Sequence, residues 1–242
     1  MAGSSGAVIV SVFVNPTQFG PGEDFARYPR TLAADRRLCA AEGADLVFAP
    51  RAPAIYAPDR SVVIRESGLS TGLCGSSRPG HFDGVCTVVA ILFNIIRPDA
   101  ALFGEKDWQQ VAVIRRLVRD LHLPVRIVSV PTVREPDGLA LSSRNRLLPP
   151  DVRTEAGGII RALGNTAARV SSGERSVPRL KASLARELNL IPGASTDYAE
   201  IVDSATLIPP KLLRPGGRTR ALVAVRLGGV RLIDNIPLPP VR

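Results

Sequence analysis

Cysteine is scarce in this chain of 242 residues. Cys39, Cys74 and Cys86 form no CxxC pair, and any pairing scheme leaves one over. That pattern excludes a disulfide framework and a cysteine-built zinc site, and it makes a reducing, cytoplasmic compartment the expectation. Histidine is scarcer still, with only His81 and His122. No Ser-His-Asp or Cys-His arrangement stands out, so no nucleophilic side chain is expected to carry the chemistry, and no metal-ligating residues are indicated. Long apolar runs are also missing. The most membrane-like stretch, Val85 to Ile96, is only twelve residues long and is broken by Thr87 and Asn94, too short to span a bilayer. The apolar start AVIVSVFV follows MAGSSG, without a basic leading region, and runs into NPTQFGPGED without a small-residue cleavage site, unlike a signal peptide.

Positive charge, in contrast, is plentiful. The formal net charge is +9, with 31 basic residues; three are lysines (Lys106, Lys181 and Lys211), which leaves 28 arginines. They are scattered along the chain without a dense block, which favours a small phosphate-bearing ligand over nucleic acid. The length fits one large or two modest domains.

Val8 to Val14 is a continuous, largely β-branched run stopped by Asn15-Pro16, the pattern of a parallel strand buried on both faces. A helix is predicted around Leu32 to Glu42, then a short strand at Leu46 to Phe48. From Gly84, the residues Val85, Val88, Val89, Leu92, Ile95 and Ile96 fall at helical spacing until Arg97-Pro98 ends the helix. Ala100 to Phe103 reads as a strand, Val111 to Leu121 as an amphipathic helix, and Val125 to Val130 as another strand. Strands alternating with helices imply an α/β fold with a parallel sheet. After about Thr132 the texture changes. Helical stretches near Asp151 to Ser171 and Arg179 to Leu188 precede a strand at Tyr198 to Val202 and a hairpin turning at Gly228-Gly229. Residues 1–132 and 133–242 are therefore the expected domains, the second a smaller α+β one.

Ligands of open parallel sheets sit beyond the carboxyl ends of the strands. Three loops occupy such positions: NPTQFGPGEDFARYPR, GEKDWQQ and TVREPDGLALSSRN. In GEKD, Asp107 reads as an N-cap, with Gln110 completing a capping box. Lys106, however, sits where a helix dipole of like sign opposes it, a placement that calls for a partner anion such as phosphate. LSSRN offers two hydroxyls and a guanidinium in one turn, either as a phosphate grip from Arg144 or as a plain serine cap. His81, in RPGHFDGV near Arg78, reads as a capping or buried histidine, or as a donor to an anionic ligand. Gln18 carries an amide suited to a small polar substrate, whereas nothing marks His122 as functional.

Taken together, FVNPTQFGPGEDFARYPR, RPGHFDGV, LFGEKDWQQ, LSSRN and RLIDN resemble the pantoate–β-alanine ligase family, in order and at compatible spacing from Val8 to Asn235. The resemblance implies a Rossmann-like nucleotide-binding domain of the adenylate-forming type, a smaller C-terminal domain and a homodimer. It implies that ATP activates pantoate as an adenylate and that β-alanine then displaces AMP, with Mg2+ neutralising the phosphates. By the same resemblance, Gln18 and Gln110 would hold pantoate, and Gln18 β-alanine as well, while His81 and Arg78 line the substrate side. Gly104, Glu105, Lys106 and Asp107 would bind ATP, with Val133 beside the adenine. Leu141, Ser142, Ser143 and Arg144 would close over the triphosphate. Lys106, Ser142, Ser143 and Arg144 are the implied catalytic residues.

The chain departs from the family pattern at its start. Family members open with a strand and an MGALHxGH-type loop whose two histidines contact the phosphates, and no counterpart precedes Val8. Loss of even one preorganised donor costs about a hundred- to a thousand-fold in rate, so weakened adenylation is expected. An apolar groove beside Val8 to Val14 is expected too. A fragment or a start site placed downstream, and a divergent nucleotide- or pantoate-binding paralogue without turnover, both fit this departure.

Overall fold

The structure, a computed structural model, describes residues 6–241; the opening residues of MAGSSG up to Ser5 lie outside them. The first layer is built from βαβ units. Strand β1 (Ile9–Ser11) leads through helix α1 (Leu32–Ala41) to β2 (Leu46–Phe48), with Ile9 opposite Leu46 in a parallel ladder. Short helices α2 (Ala52–Ile55) and α3 (Cys74–Ser77) precede the long helix α4 (His81–Ile96). Strand β3 (Ala100–Gly104) then crosses through α5 (Trp108–Asp120) to β4 (Arg126–Val130), again in parallel, with Ala100 opposite Arg126 and Gly104 opposite Val130. Helices α4 and α5 pack together through Val85, Cys86, Val89, Val113, Ile114 and Leu117, the residues that a 3.6-residue period places on one face.

Two expectations change here. The helix begins at His81 rather than Gly84, because Gly80 takes a left-handed conformation (φ 79°) that turns the chain into it. The run Val8 to Val14 forms a ladder only over Ile9–Ser11, extended by the bond from Val12 N to Phe48 O, and it is not buried on both faces: Val8 and Ile9 are exposed. Among the described residues β1 pairs only with β2 and β3 only with β4, so the parallel strands form two ribbons. A β-branched run favours burial, but a neighbour must supply it.

The second layer holds α6 (Pro150–Glu155), α7 (Gly158–Ser171) and α8 (Val177–Asn189) against an antiparallel sheet of β5 (Ser195–Asp203), β6 (Thr219–Leu227) and β7 (Val230–Pro237). The single helical stretch expected over Asp151 to Ser171 is broken at Ala156-Gly157. Gly158, which opens α7, packs so close to Ile191 that a Cβ would sit 2.8 Å from its side chain. Ser176 caps α8, its hydroxyl accepting from Arg179 N. Gly228 and Gly229 (φ 56° and 77°) make the two-residue turn between β6 and β7, where both positions need positive φ. Ile159, Leu163, Leu180, Leu184, Ile201 and Val223 belong to the core of this layer. A small cluster of Trp108, Val202 and Leu222 joins the two layers.

Candidate functional site

A cleft of about 690 Å3 opens between the layers. The start of α5 contributes Lys106, Asp107 and Gln110 to its wall, the start of α4 contributes Arg78 and His81, and the LSSRN turn contributes Ser142 and Arg144. Three separated sequence motifs thus meet in one cavity. Gln18 stands just behind the wall. Its backbone carbonyl accepts from Arg78 Nη2 (3.1 Å) and His81 Nδ1 (2.9 Å), and its side-chain Oε1 accepts from Asn15 Nδ2 (3.2 Å).

Asn15 is the hub of that first loop, and sequence reasoning missed it. It is buried; its amide also donates to Gly84 O (3.1 Å), and its Oδ1 accepts from Tyr56 Oη (2.6 Å) and Thr17 Oγ1 (2.9 Å). A side chain at position 84 would not fit, because a Cβ there would lie 2.4 Å from Thr17 O. Gly84, the second glycine in RPGHFDGV, thereby lets the NPTQ turn press onto α4.

The cations of the cleft differ in their engagement. Arg78 grips Glu23 through Nε (2.8 Å) and Nη2 (2.6 Å). Burial opposes ionisation of Glu23, but Arg78's hydrogen bond and charge outweigh it and hold the carboxyl below its ordinary range. Arg144 makes the same bidentate pair with Asp24 (2.7 and 2.9 Å), whose carboxyl is likewise lowered, first by that hydrogen bond. Ser143 Oγ reaches Tyr28 Oη (3.2 Å), and Ser142 caps the turn by accepting from Arg144 N (3.3 Å). The LSSRN turn is therefore folded onto the GPGED loop, with the Asp24 carboxylate held by Arg144. Lys106 is different: its ammonium makes no hydrogen bond or ion pair among the described residues, although it lines the cleft.

His81 is held neutral. Burial, and then the neighbouring Arg78 charge, push its pKa from 6.5 down to about 4. Because the Gln18 carbonyl can only accept, Nδ1 carries the proton and Nε2 accepts from Arg78 Nη1 (3.1 Å).

Several predicted site residues stand elsewhere. Gly104, Glu105, Val133, Leu141 and Ser143 are not part of the cleft wall. The Glu105 carboxylate is taken by Arg220 Nη2 (2.6 Å) and Ser129 Oγ (3.0 Å). Val133 and Leu141 are exposed, and Leu141 N donates to Val133 O (2.9 Å) in a hairpin. Asp107 occupies the N-cap position of α5, but its side chain makes no capping hydrogen bond, so the capping box is not formed. His122 is a positive-φ residue (50°) just past α5. Among the described residues no group of three or more His, Cys, Asp or Glu side chains could hold a metal ion, and no helix is long and apolar enough to cross a membrane.

The family model described as pantoate-beta-alanine ligase matches residues 1–237. A pantothenate synthetase from Moorella thermoacetica is 50% identical over 231 residues, covering 96% of this chain and 81% of that protein. One from a Nocardioides species is 52% identical over 237 residues, covering 98% and 70%. The crystal structure of pantothenate synthetase from Thermus thermophilus superimposes with a TM-score of 0.92 at 46% identity, over 96% of this chain and 84% of that one. The pantoate-beta-alanine ligase of Francisella tularensis, complexed with beta-gamma ATP and beta-alanine, superimposes with a TM-score of 0.74 at 33% identity, over 96% and 79%.

Proposed function

The chain belongs to the pantoate–β-alanine ligase family, and from that premise we propose that its cleft binds ATP beside pantoate and joins pantoate to β-alanine through an acyl adenylate. In the first step a pantoate carboxylate oxygen attacks the α-phosphorus and pyrophosphate departs. In the second, the β-alanine amine attacks the acyl carbon, the amide bond forms, and AMP leaves with the acyl–oxygen bonding pair. No protein nucleophile is needed. The work of the chain is to orient the reactants and to stabilise the charge that moves onto pyrophosphate.

The observation that carries this reading is Lys106, an ammonium on the cleft wall without a partner among the described residues, beside Arg78 and Arg144, which are already matched to Glu23 and Asp24. Arg144 reaches the triphosphate by exchanging Asp24 for a phosphate oxygen, an anion for an anion with the same bidentate geometry. Gln110, on the cleft wall, offers a neutral donor and acceptor for the hydroxyls of pantoate, and Gln18 would join it by turning its amide away from Asn15 into the cleft. His81, neutral through the physiological range, orients Gln18 and Arg78 rather than supplying a proton. A Mg2+ that arrives on the nucleotide would be held by Asp107, which lines the cleft beside Lys106 and whose carboxylate is unengaged among the described residues, whereas Glu105 is taken by Arg220 and Ser129; there the ion would neutralise phosphate charge. A cytoplasmic homodimer, with residues 1–132 and 133–242 as its two working parts, completes the proposal.

Isotope exchange between pyrophosphate and ATP tests it. Exchange that requires pantoate and proceeds without β-alanine is the expected result. Exchange indifferent to pantoate contradicts the adenylate step.

A further inference from the structure

The last two residues of RLIDN have no part in the reading above, yet they touch both ligand-facing loops. We propose that Asn235 is a positioning residue: from β7 it holds the backbone of Glu105 and Lys106 so that the Lys106 ammonium faces the cleft. The identity of the ligand rests on the nucleotide reading; the positioning itself does not.

Asn235 is buried at 4% exposure, and its Nδ2 donates to Glu105 O (2.8 Å) and Lys106 O (2.9 Å). Both acceptors are carbonyls, so the amide orientation is settled and both of its hydrogens are committed. Its Oδ1, on a residue of the cleft wall, has no partner among the described residues. On the far side of the same turn the Glu105 carboxylate is fixed by Arg220 of β6, itself buried at 5% and stacked 3.7 Å from the centre of the Trp108 ring. Trp108 in turn donates Nε1 to Ser204 O (3.0 Å). Residues 105, 106 and 108 are thus tied by main chain or side chain to the antiparallel sheet, while the Lys106 side chain alone is left free. Asp107 gives no side-chain cap from its own layer, so the clamp from the sheet replaces the local anchoring a helix start normally has.

Asp234, the preceding residue, extends the device. It binds Arg134 bidentately (2.7 and 3.0 Å), and Arg134 Nη1 also donates to Gly138 O (3.0 Å) in the hairpin that leads into LSSRN. One dipeptide of β7 therefore sets the spacing between the Lys106 turn and the Arg144 turn. A group that meets charge developing on a ligand must be held within a fraction of an ångström, which gives these buried bonds a use beyond satisfying two carbonyls.

The chain has only three lysines, so Lys106 can be followed by brief labelling with an amine-reactive reagent and mass spectrometry, using Lys211 as the internal reference. In Asn235→Ala, at a temperature where circular dichroism shows the protein folded, the Lys106-to-Lys211 labelling ratio without nucleotide should change several-fold. The ATP concentration that half-protects Lys106 should rise about ten-fold, the scale of one or two lost hydrogen bonds. Asn235→Ser, which retains one donor, should fall between. Ile201→Val, a core change in the same sheet away from the turn, should lower the melting temperature and leave ratio and protection unaltered. A ratio and half-protection unchanged in Asn235→Ala, or in Asn235→Ser should the alanine variant not fold, overturns the positioning role. Lack of ATP protection in the unsubstituted protein contradicts the nucleotide reading instead, and the labelling ratio still decides the clamp.

Discussion

At the scale of single residues, what matters is which polar groups are already answered. Arg78, Arg144 and Arg220 each have a carboxylate, His81 has a donor and an acceptor, and among the described residues the Lys106 ammonium has none. The state of His81 has a thermodynamic consequence. Its folded pKa of about 4 lies below the ordinary 6.5, so between those values the unfolded chain takes up a proton that the folded one refuses. Stability is therefore complete above pH 6.5 and falls by up to about 3 kcal/mol as the pH drops towards 4. Glu23 and Asp24, both held low, add a further loss at still lower pH. Urea unfolding of the native chain and of His81→Asn, which keeps a donor for Gln18 O, should show the slope between pH 6.5 and 4 reduced in the variant; equal slopes would remove His81 as the cause. Lys106 was legible in the sequence because a lysine at a helix start runs against the dipole. Asn15 and Asn235 were not, because each reads as a turn or strand-end asparagine. Their decisive partners, Gly84 O and the carbonyls of Glu105 and Lys106, lie 69, 130 and 129 positions away.

At the scale of elements, the loops are shaped by what presses on them. The NPTQ turn rests on α4 only because residue 84 is glycine. Gly84→Ala should therefore displace Gln18, cost about 1–3 kcal/mol by overpacking, and raise the KM for pantoate more than that for ATP. Equal effects on both substrates would argue that the turn serves no particular one. The Arg134–Asp234 pair locks the 133–141 hairpin, and Asp234 is the more buried partner at 2% side-chain exposure. Asp234→Ala leaves a guanidinium without its anion and should cost about 3 kcal/mol in chemical unfolding; a loss below about 0.5 kcal/mol would contradict that assignment. Element type was readable wherever the period was strong, as for α4, α5 and the hairpin at Gly228-Gly229. Where tertiary contacts decided, the reading failed. α7 begins at a glycine chosen by Ile191, and the cap of α5 is replaced by a grip from another sheet.

At the scale of the whole molecule, two parallel ribbons and one antiparallel sheet among the described residues surround a cleft that belongs to no single element. Alternation of strands and helices made the α/β architecture readable, whereas the separation of β1 from β3 depends on pairing, which no local pattern encodes. The open flanks carry exposed apolar side chains, Val8 and Ile9 beside one ribbon and Leu102 on the other, and such edges template association. Leu102→Lys should lower concentration-dependent light scattering without changing the melting temperature by more than a few degrees; scattering unchanged by the substitution would place the sticky surface elsewhere. The central claim is that turns from distant parts of the chain converge to bind a nucleoside triphosphate around Lys106. Trp108, the sole tryptophan, lies on the cleft wall two residues from that lysine. The most direct measurement is a titration of its fluorescence with a non-hydrolysable ATP analogue, in the native chain and in Lys106→Ala. The account predicts saturable binding that weakens by about ten- to a hundred-fold in the variant, the worth of a charged hydrogen bond. Equal affinity in both proteins, or no binding in either, would contradict it.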